Sequence, residues 1–174
     1  MKKLLFSLLG LTLLSSCIND EKEEVQDPEI IKVGDKLPTF DVITSEGQHV
    51  TTDSLLDHYS MVVLFSTTCP DCRQELPRVD SLYREHLNDA EFRLICIARE
   101  QEAETIQEFW NKEKLILPYS PQPDRKVYNL FASSVIPRIY ISTPDGIVRF
   151  MHDDKDMPNH EQLESELRKI KKTK

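Results

Sequence analysis

A buried strand that runs into a cysteine-containing helix is the feature that most constrains the fold of this chain. Residues 61–65 (MVVLF) are apolar without a break and rich in β-branched and aromatic side chains, which is typical of a strand covered on both faces. Residues 69–72 (CPDC) follow after a short polar loop, and apolar side chains then recur at near-helical spacing. This order predicts a central strand, a loop and a helix from residue 70 to about residue 87.

The rest of the chain alternates strand and helix patterns, as expected of one α/β domain. Apolar or alternating runs bounded by turn residues predict the other strands, at residues 38–42, 49–50, 92–98, 136–141 and 147–150. Helical spacing of apolar side chains predicts the other helices, at residues 52–56, 101–112, 124–131 and from the capping residue Asn159 onward.

Composition limits the classes of protein that remain. The chain has 174 residues, of which 39% are hydrophobic, so one domain with a core is expected. A formal net charge of −8 argues against a nucleic-acid binder, which normally presents a basic face. Four glycines exclude a glycine-rich phosphate-binding loop, and four cysteines are too few for a disulfide scaffold.

Residues 1–16 have the pattern of an export signal. Lys2 and Lys3 precede an apolar run at 4–14 that is too short to span a bilayer, which needs roughly 20 residues. Residues 14–17 (LSSC) then resemble the bacterial lipoprotein box. The resemblance implies cleavage of the signal peptide and lipidation of Cys17, whereas the alternative is an ordinary secretory signal with an incidental cysteine.

An acidic segment separates Cys17 from the predicted domain. Residues 18–29 (INDEKEEVQDPE) are almost free of large apolar side chains, which predicts a flexible tether over 17–30 and a folded domain over 31–174. Acyl chains on Cys17 would hold the domain near a bilayer. The expected location is the bacterial cell envelope, facing the periplasm. The acidic run also resembles surface-export signals of Bacteroidetes lipoproteins, so the cell surface is the alternative.

The two cysteines of the 69–72 segment are placed for thiol–disulfide chemistry. A thiol at a helix N-terminus faces unsatisfied backbone N–H groups and the positive end of the helix dipole, and both favour the thiolate. A spacing of three residues puts Cys72 one helical turn from Cys69, so the pair can close a disulfide with little movement. We predict that Cys69 is the attacking nucleophile and that the more shielded Cys72 is the resolving thiol.

Three segments resemble one known family. Residues 66–77 (STTCPDCRQELP) are similar to the active-site segment of the TlpA/ResA-like thioredoxin-fold thiol–disulfide oxidoreductases. Residues 33–40 (VGDKLPTF) resemble an opening that this family shares with the peroxiredoxins, and residues 135–138 (VIPR) resemble the segment that carries the cis-proline of thioredoxin folds. The resemblance implies a thioredoxin-like α/β fold: a central mixed β-sheet flanked by helices, with an N-terminal hairpin extension and an inserted βα element.

The resemblance also implies roles for residues around the cysteines. Pro137, if cis, would shape a substrate groove in which the backbone of Ile136 pairs with an extended peptide. Pro70 and Asp71, between the cysteines, would contact the same substrate. Glu75 matches a glutamate beside the cysteine pair in ResA-like members, where a carboxylate could relay the proton of the second thiol. The alternative for Glu75 is a solvated helix face.

Two features bear on the direction of the chemistry. Val63 stands where thioredoxins carry a buried acid, which leaves Glu75 as the remaining proton relay. Asp71 adds a negative charge beside the thiols, which opposes thiolate formation. We therefore predict a reductase or an isomerase rather than a strong oxidase.

Other side chains with reactive chemistry are predicted to be structural. Cys96 lies within an apolar run and Trp110 lies at helical spacing with apolar residues, so both are expected in the core. The five histidines show no metal-ligand spacing, and His152, followed by Asp153 and Asp154, is expected in a solvated loop. We predict neither a metal nor a cofactor.

Together these patterns favour a lipid-anchored oxidoreductase with a Cys69–Cys72 redox disulfide. Its expected partners are disulfide-containing exported proteins, with apocytochrome c as one suggested class, an upstream membrane thiol reductase, and the bilayer; nucleic acid is not expected. One alternative is a peroxiredoxin-like peroxidase, although Val62 and Ser66 occupy the positions of that family's proline and threonine. The other is a non-catalytic lipoprotein that binds a soft metal or a partner through the dithiol.

Overall fold

The computed structural model describes residues 29–172, so the predicted signal peptide, Cys17 and nearly all of the predicted tether lie outside the described residues. Within residues 29–172, no helix is both long enough and apolar enough to cross a membrane. The elements follow one another in this order: β1 (Asp41–Ile43), β2 (His49–Thr51), α1 (Thr52–Leu55), β3 (Tyr59–Phe65), α2 (Pro70–Glu85), β4 (Phe92–Ala98), α3 (Ala103–Glu113), β5 (Tyr119–Ser120), α4 (Tyr128–Phe131), β6 (Arg138–Ser142), β7 (Val148–His152) and α5 (His160–Lys172).

A five-stranded mixed sheet in the order β5-β4-β3-β6-β7 forms the centre of the fold. Every residue of β3 is buried, as the unbroken apolar run predicts. β4 pairs with β3 in parallel and β6 pairs with it antiparallel, so that Val63 lies between Cys96 and Ile139. Strand β7 continues this row, because His152 pairs with Ile139. The predicted mixed sheet with β3 at its centre is confirmed.

The predicted hairpin is present as β1 and β2, which form a separate antiparallel pair. It is attached to the edge strand β5 by two hydrogen bonds. The Ser45 N–H donates to the Tyr119 carbonyl at 2.9 Å, and the Ser120 hydroxyl donates to the Ile43 carbonyl at 2.7 Å. The N-terminal extension therefore lies at the edge of the sheet that is far from β7.

Helices α2 and α5 pack against each other, and α5 also contacts β3. The predicted apolar face of α5 is buried, with Leu163, Leu167 and Ile170 in the core. Asn159 caps this helix as predicted, since its side-chain oxygen accepts a hydrogen bond from the Gln162 N–H at 2.8 Å. The C-terminal helix is thus fixed over the central strand and beside the helix that carries the cysteines.

Helix α3 contributes an aromatic cluster to the core. The Trp110 ring lies 5.1 Å from the Phe65 ring and 4.7 Å from the Tyr119 ring, measured between centroids. Its indole N–H donates to the Leu117 carbonyl at 2.9 Å, so the buried polar atom is satisfied. Cys96 is fully buried on β4. The core positions predicted for Trp110 and Cys96 are confirmed.

Three of the differences from the sequence prediction have a local physical reason. α4 is shorter than predicted because a turn precedes it, in which the Asp124 carboxylate accepts a hydrogen bond from the Lys126 N–H at 2.9 Å. β6 begins at Arg138 because Pro137 has no N–H to donate to the sheet. β5 has two residues, too few to show a periodicity in the sequence.

Candidate active site

Both cysteines of the 69–72 segment lie at the start of α2, just after β3 ends. Cys69 immediately precedes the first turn, and its sulfur accepts a hydrogen bond from the Cys72 N–H at 3.5 Å. Pro70 occupies the first helical position, where its fixed φ suits the helix and a backbone N–H would lack an intrahelical partner. Cys69 is half-buried and Cys72 is fully buried, so the predicted shielding of Cys72 is confirmed. Both are free thiols in this structure.

The loop before β6 meets the first cysteine. The Ile136–Pro137 peptide bond is cis, as the resemblance of residues 135–138 to the cis-proline segment of thioredoxin folds implies. The Cys69 thiol donates a hydrogen bond to the Ile136 carbonyl at 3.5 Å, although the two residues are 67 positions apart. The Tyr128 hydroxyl donates to the Val135 carbonyl at 2.8 Å and ties this loop to α4. The cysteines and the cis-proline loop therefore form one site.

The residues predicted to contact a substrate are brought to this site with different exposure. Pro70 is exposed and Asp71 is half-buried in the first turn of α2. Ile136 and Pro137 are buried, with the Ile136 carbonyl directed at the Cys69 thiol. The hydrogen bond from the Cys69 thiol to the Ile136 carbonyl connects Pro70 and Asp71 on α2 with Ile136 and Pro137 in the loop.

The loop between β3 and α2 is fixed by a side chain that sequence reasoning missed. The Gln101 side-chain oxygen accepts a hydrogen bond from the Thr67 N–H at 2.6 Å, and the Gln101 amide donates to the Thr67 hydroxyl at 2.8 Å. Both residues are buried, so water does not compete for these bonds. Thr67 lies two residues before Cys69. No local pattern could reveal this contact, because its partners are 34 residues apart.

Burial dominates the acid–base behaviour of Cys72. It raises the pKa of the Cys72 thiol far above the usual value, because the thiolate would lose its hydration. A hydrogen bond with the Ser66 backbone and the positive charge of Arg99 act to lower that pKa, whereas Cys69 acts to raise it further. Cys72 is therefore a protonated thiol at neutral pH, and it must lose its proton before it can act as a nucleophile.

Glu75 lies one helical turn after Cys72 and is only 1% exposed, so the alternative of a solvated helix face is wrong. One carboxylate oxygen accepts a hydrogen bond from the Arg78 guanidinium at 3.0 Å. The other has no hydrogen-bond partner among the described residues. Burial raises the pKa of the Glu75 carboxyl, although Arg78 and the charge of His152 oppose the shift. A buried carboxyl with a raised pKa is suited to exchanging a proton.

His152 does not lie in a solvated loop, and that prediction is wrong. It is the last residue of β7 and is 4% exposed. Its ring nitrogens lie 3.0 Å from the Asp156 carboxylate and 2.8 Å from the Glu166 carboxylate. Helix α5 supplies Glu166, so tertiary packing buries a residue that two following aspartates made look exposed. Burial acts to lower the pKa of His152, but the two carboxylates outweigh it and raise that pKa.

We expect His152→Gln to destabilise the protein more at about pH 6 than at about pH 8. The folded state raises the pKa of His152, so its stabilisation is complete below the pKa of an unfolded histidine, about 6.5. That stabilisation disappears as the pH rises through the folded-state pKa. The loss at the lower pH should be about 2 kcal/mol, the scale of hydrogen bonds to charged groups. Denaturant unfolding at both pH values measures it.

The matched control for this variant is His49→Gln. His49 also faces a carboxylate, at 3.3 Å from Asp41, but its side chain is 66% exposed and water screens the pair. We expect its substitution to change the free energy of unfolding little at either pH. Equal losses at the two pH values for His152→Gln would contradict the assignment of a charged, carboxylate-paired ring.

Comparison with known proteins supports a redox role for this site. The model of the AhpC/TSA family matches residues 33–151, which include both cysteines and the cis-proline loop. The thiol-disulfide oxidoreductase ResA of Bacillus thuringiensis is 24% identical over 170 residues, which cover 97% of this chain and 96% of that protein. The match therefore spans nearly the whole of both proteins.

Solved structures share the fold. The solution structure of a candidate protein disulfide isomerase from Bacteroides thetaiotaomicron aligns with a TM-score of 0.75 and 23% identity, covering 83% of this chain and 91% of that one. A thioredoxin-family thiol:disulfide interchange protein from Chlorobium tepidum aligns with a TM-score of 0.68 and 17% identity, covering 80% and 98%. The chain belongs to the AhpC/TSA family and is a thiol–disulfide oxidoreductase of the thioredoxin fold.

Proposed function

We propose that the protein is a lipid-anchored reductase that opens disulfide bonds of exported proteins through Cys69 and Cys72. The observation that carries this proposal is the contrast between the two thiols. The Cys69 thiol is half-buried and donates a hydrogen bond to the Ile136 carbonyl, just before the cis-proline, whereas Cys72, one helical turn away, is fully buried. Such an arrangement leaves one sulfur within reach of a partner's disulfide and keeps the other inside the protein.

The reaction proceeds through a mixed disulfide. The Cys69 thiolate attacks one sulfur of the partner's disulfide, that S–S bond breaks, and the other partner sulfur leaves and takes up a proton. Cys72 then loses its proton and attacks the Cys69 sulfur, which closes the Cys69–Cys72 disulfide and releases the second partner thiol. Two electrons pass from the enzyme dithiol to the partner. A membrane thiol reductase must return the enzyme to its dithiol form.

The partner is held through its backbone in this proposal. The Ile136 carbonyl lies 3.5 Å from the Cys69 sulfur, where an extended partner segment would pair with the loop. Pro137 shapes the groove, and Pro70 and Asp71 contact the partner from the α2 side. Recognition through backbone atoms suits an enzyme that acts on several exported proteins, of which apocytochrome c is one class.

Glu75 is the proposed relay for the proton of Cys72. Its carboxyl is 1% exposed and its pKa is raised. It can therefore accept the proton of Cys72 inside the protein, at a position that water does not reach. The carboxylate oxygen without a hydrogen-bond partner among residues 29–172 is the atom that would carry this proton. Val63, on the central strand, offers no acid for the same task.

The proposed location is the bacterial cell envelope. Residues 14–17 support removal of residues 1–16 and lipidation of Cys17, after which residues 17–30 would tether the domain at 31–174 to the bilayer. The domain would face the periplasm, and the acidic tether keeps the cell surface as an alternative.

The reduction potential of the Cys69–Cys72 pair tests the proposed direction of electron flow. We expect a reversible two-electron transition at about −270 mV when the lipid-free domain is equilibrated in graded thiol/disulfide buffers. Cys69→Ser should remove the transition. A value of about −120 mV would instead indicate an oxidase. If none of the thiol/disulfide buffers gives a reversible transition, the Cys69–Cys72 dithiol is not a redox centre. Binding of a soft metal or a partner through the dithiol then becomes the better interpretation.

A further inference from the structure

Arg99 lies at the edge of the sheet where the cysteines are. It directly follows β4, and its backbone N–H donates to the carbonyl of Phe65, the last residue of β3, at 2.9 Å. β3 and β4 are parallel, so their carboxyl ends meet at one edge. The chain leaves β3 there, passes through Ser66 and enters the helix that begins after Cys69. The backbone of Arg99 is therefore anchored beside the start of the cysteine loop.

The guanidinium of Arg99 is held by an aromatic ring. It lies over the Tyr128 ring at 4.9 Å, and the guanidinium of Arg125 lies over the same ring at 4.8 Å. Tyr128 is 1% exposed, and its hydroxyl binds the Val135 carbonyl in the cis-proline loop. Such a contact fixes the position of a cation and leaves its charge in place.

Within residues 29–172, no carboxylate forms a close ion pair with the Nε atom of Arg99. The nearest carboxylate recorded for that atom is that of Glu100, at 3.8 Å, beyond hydrogen-bond distance. Nε itself is buried and has no hydrogen-bond partner among residues 29–172. Glu100 also lies 3.4 Å from Arg125. The guanidinium groups of Arg99 and Arg125 therefore share one carboxylate at this edge of the sheet.

We propose that Arg99 is a positioning residue for the resolving step, in which its charge stabilises the Cys72 thiolate as that thiolate forms and attacks Cys69. The proposal rests on the role proposed above for Cys72. Burial is the main cause that raises the pKa of the Cys72 thiol; the Ser66 backbone acts to lower that pKa, Cys69 acts to raise it, and the charge of Arg99 acts to lower it. Because Cys72 is fully buried, water screens the attraction less than at a surface.

The two steps can be followed separately with dithiodipyridine, an uncharged aromatic disulfide, at equimolar ratio to the reduced protein. The Cys69 thiolate attacks one sulfur of the probe, the probe's S–S bond breaks, and one thiopyridone leaves. Cys72 then gives up its proton and attacks the Cys69 sulfur, which forms the Cys69–Cys72 disulfide and releases the second thiopyridone. The dithiol is oxidised and the probe reduced by two electrons. The second phase of absorbance change therefore reports the resolving step.

We expect Arg99→Gln to slow the second phase by about threefold to tenfold, because the variant removes a positive charge that stabilises the Cys72 thiolate. The first phase should change by less than about twofold, because Cys69 is half-buried and water screens the charge more strongly there than at the fully buried Cys72. Arg99→Lys keeps the charge and should restore most of the second phase. Arg125→Gln is the matched control: it removes the other cation over Tyr128 and should leave the second phase within about twofold.

Three results would overturn the proposal. They are an unchanged second phase in Arg99→Gln, equal slowing in Arg99→Gln and Arg125→Gln, and a lysine variant as slow as the glutamine variant. The last two would assign Arg99 to packing around Tyr128. Failure of the proposed function gives a different result, because a wild-type protein without a second phase, or a Cys72→Ser variant that retains one, would remove the resolving role of Cys72 itself.

Discussion

Replacing Cys72 by serine is expected to reduce turnover to the rate of uncatalysed exchange and to leave the substrate attached to Cys69. The reason is geometric: Cys69 is half-buried and keeps its access to a partner's disulfide, whereas the thiol that must release the partner is gone. No other described thiol can replace it, since Cys96 is fully buried on β4. The attached substrate is detected as a mass increase that a small thiol reverses.

Two control variants make this result specific. Cys69→Ser should abolish turnover without trapping a substrate, because the attacking sulfur is missing. Cys96→Ala removes a buried thiol of the core and should retain turnover, although it lowers stability. Trapping by Cys69→Ser instead of Cys72→Ser would reverse the proposed order of attack.

The largest effect on stability is expected for Tyr128→Ala. The side chain is 1% exposed, two guanidinium groups lie over its ring, and its hydroxyl binds the Val135 carbonyl. Removal of a buried aromatic ring leaves a cavity, so we expect a loss of about 3–5 kcal/mol in the free energy of unfolding. Denaturant unfolding monitored by the far-ultraviolet circular dichroism measures this loss.

Tyr128→Phe is the matched control, because it keeps the ring and removes only the hydroxyl. Its expected loss is about 1–2 kcal/mol, the cost of leaving the Val135 carbonyl without its partner. If the alanine variant were no less stable than the phenylalanine variant, the ring would not be an anchor of the cis-proline loop. The argument that the Tyr128 ring fixes the Arg99 guanidinium in place would then also be weakened.

The parts of the site that the sequence predicted are those that local patterns determine. An unbroken apolar run indicates a central strand, and a proline after a cysteine indicates a helix start, so Cys69 and Cys72 could be placed at one junction. The cis conformation at Pro137 was predicted from a four-residue resemblance. Each of these predictions depends on residues that are close together in the chain.

The parts that the sequence did not predict depend on contacts between distant segments. Gln101 holds Thr67 across 34 positions, and Arg99 meets Tyr128 only because the end of β4 lies near the start of α4. Glu75 and His152 have polar neighbours in the chain, so their burial follows from the packing of α2 and α5 rather than from periodicity. The burial and contacts of such residues depend on tertiary packing, which local patterns in a single sequence do not reveal.

The unequal exposure of the three described thiols also determines how the protein withstands oxidants. A peroxide that reaches Cys69 would convert it to a sulfenic acid, the reversible first product of cysteine oxidation. Cys72 lies one helical turn away and can condense with that sulfenic acid, which releases water and forms the Cys69–Cys72 disulfide of the proposed catalytic cycle. Oxidation of the accessible sulfur would thereby end in the same disulfide that the proposed membrane thiol reductase would reduce, while Cys96 is fully buried in the core.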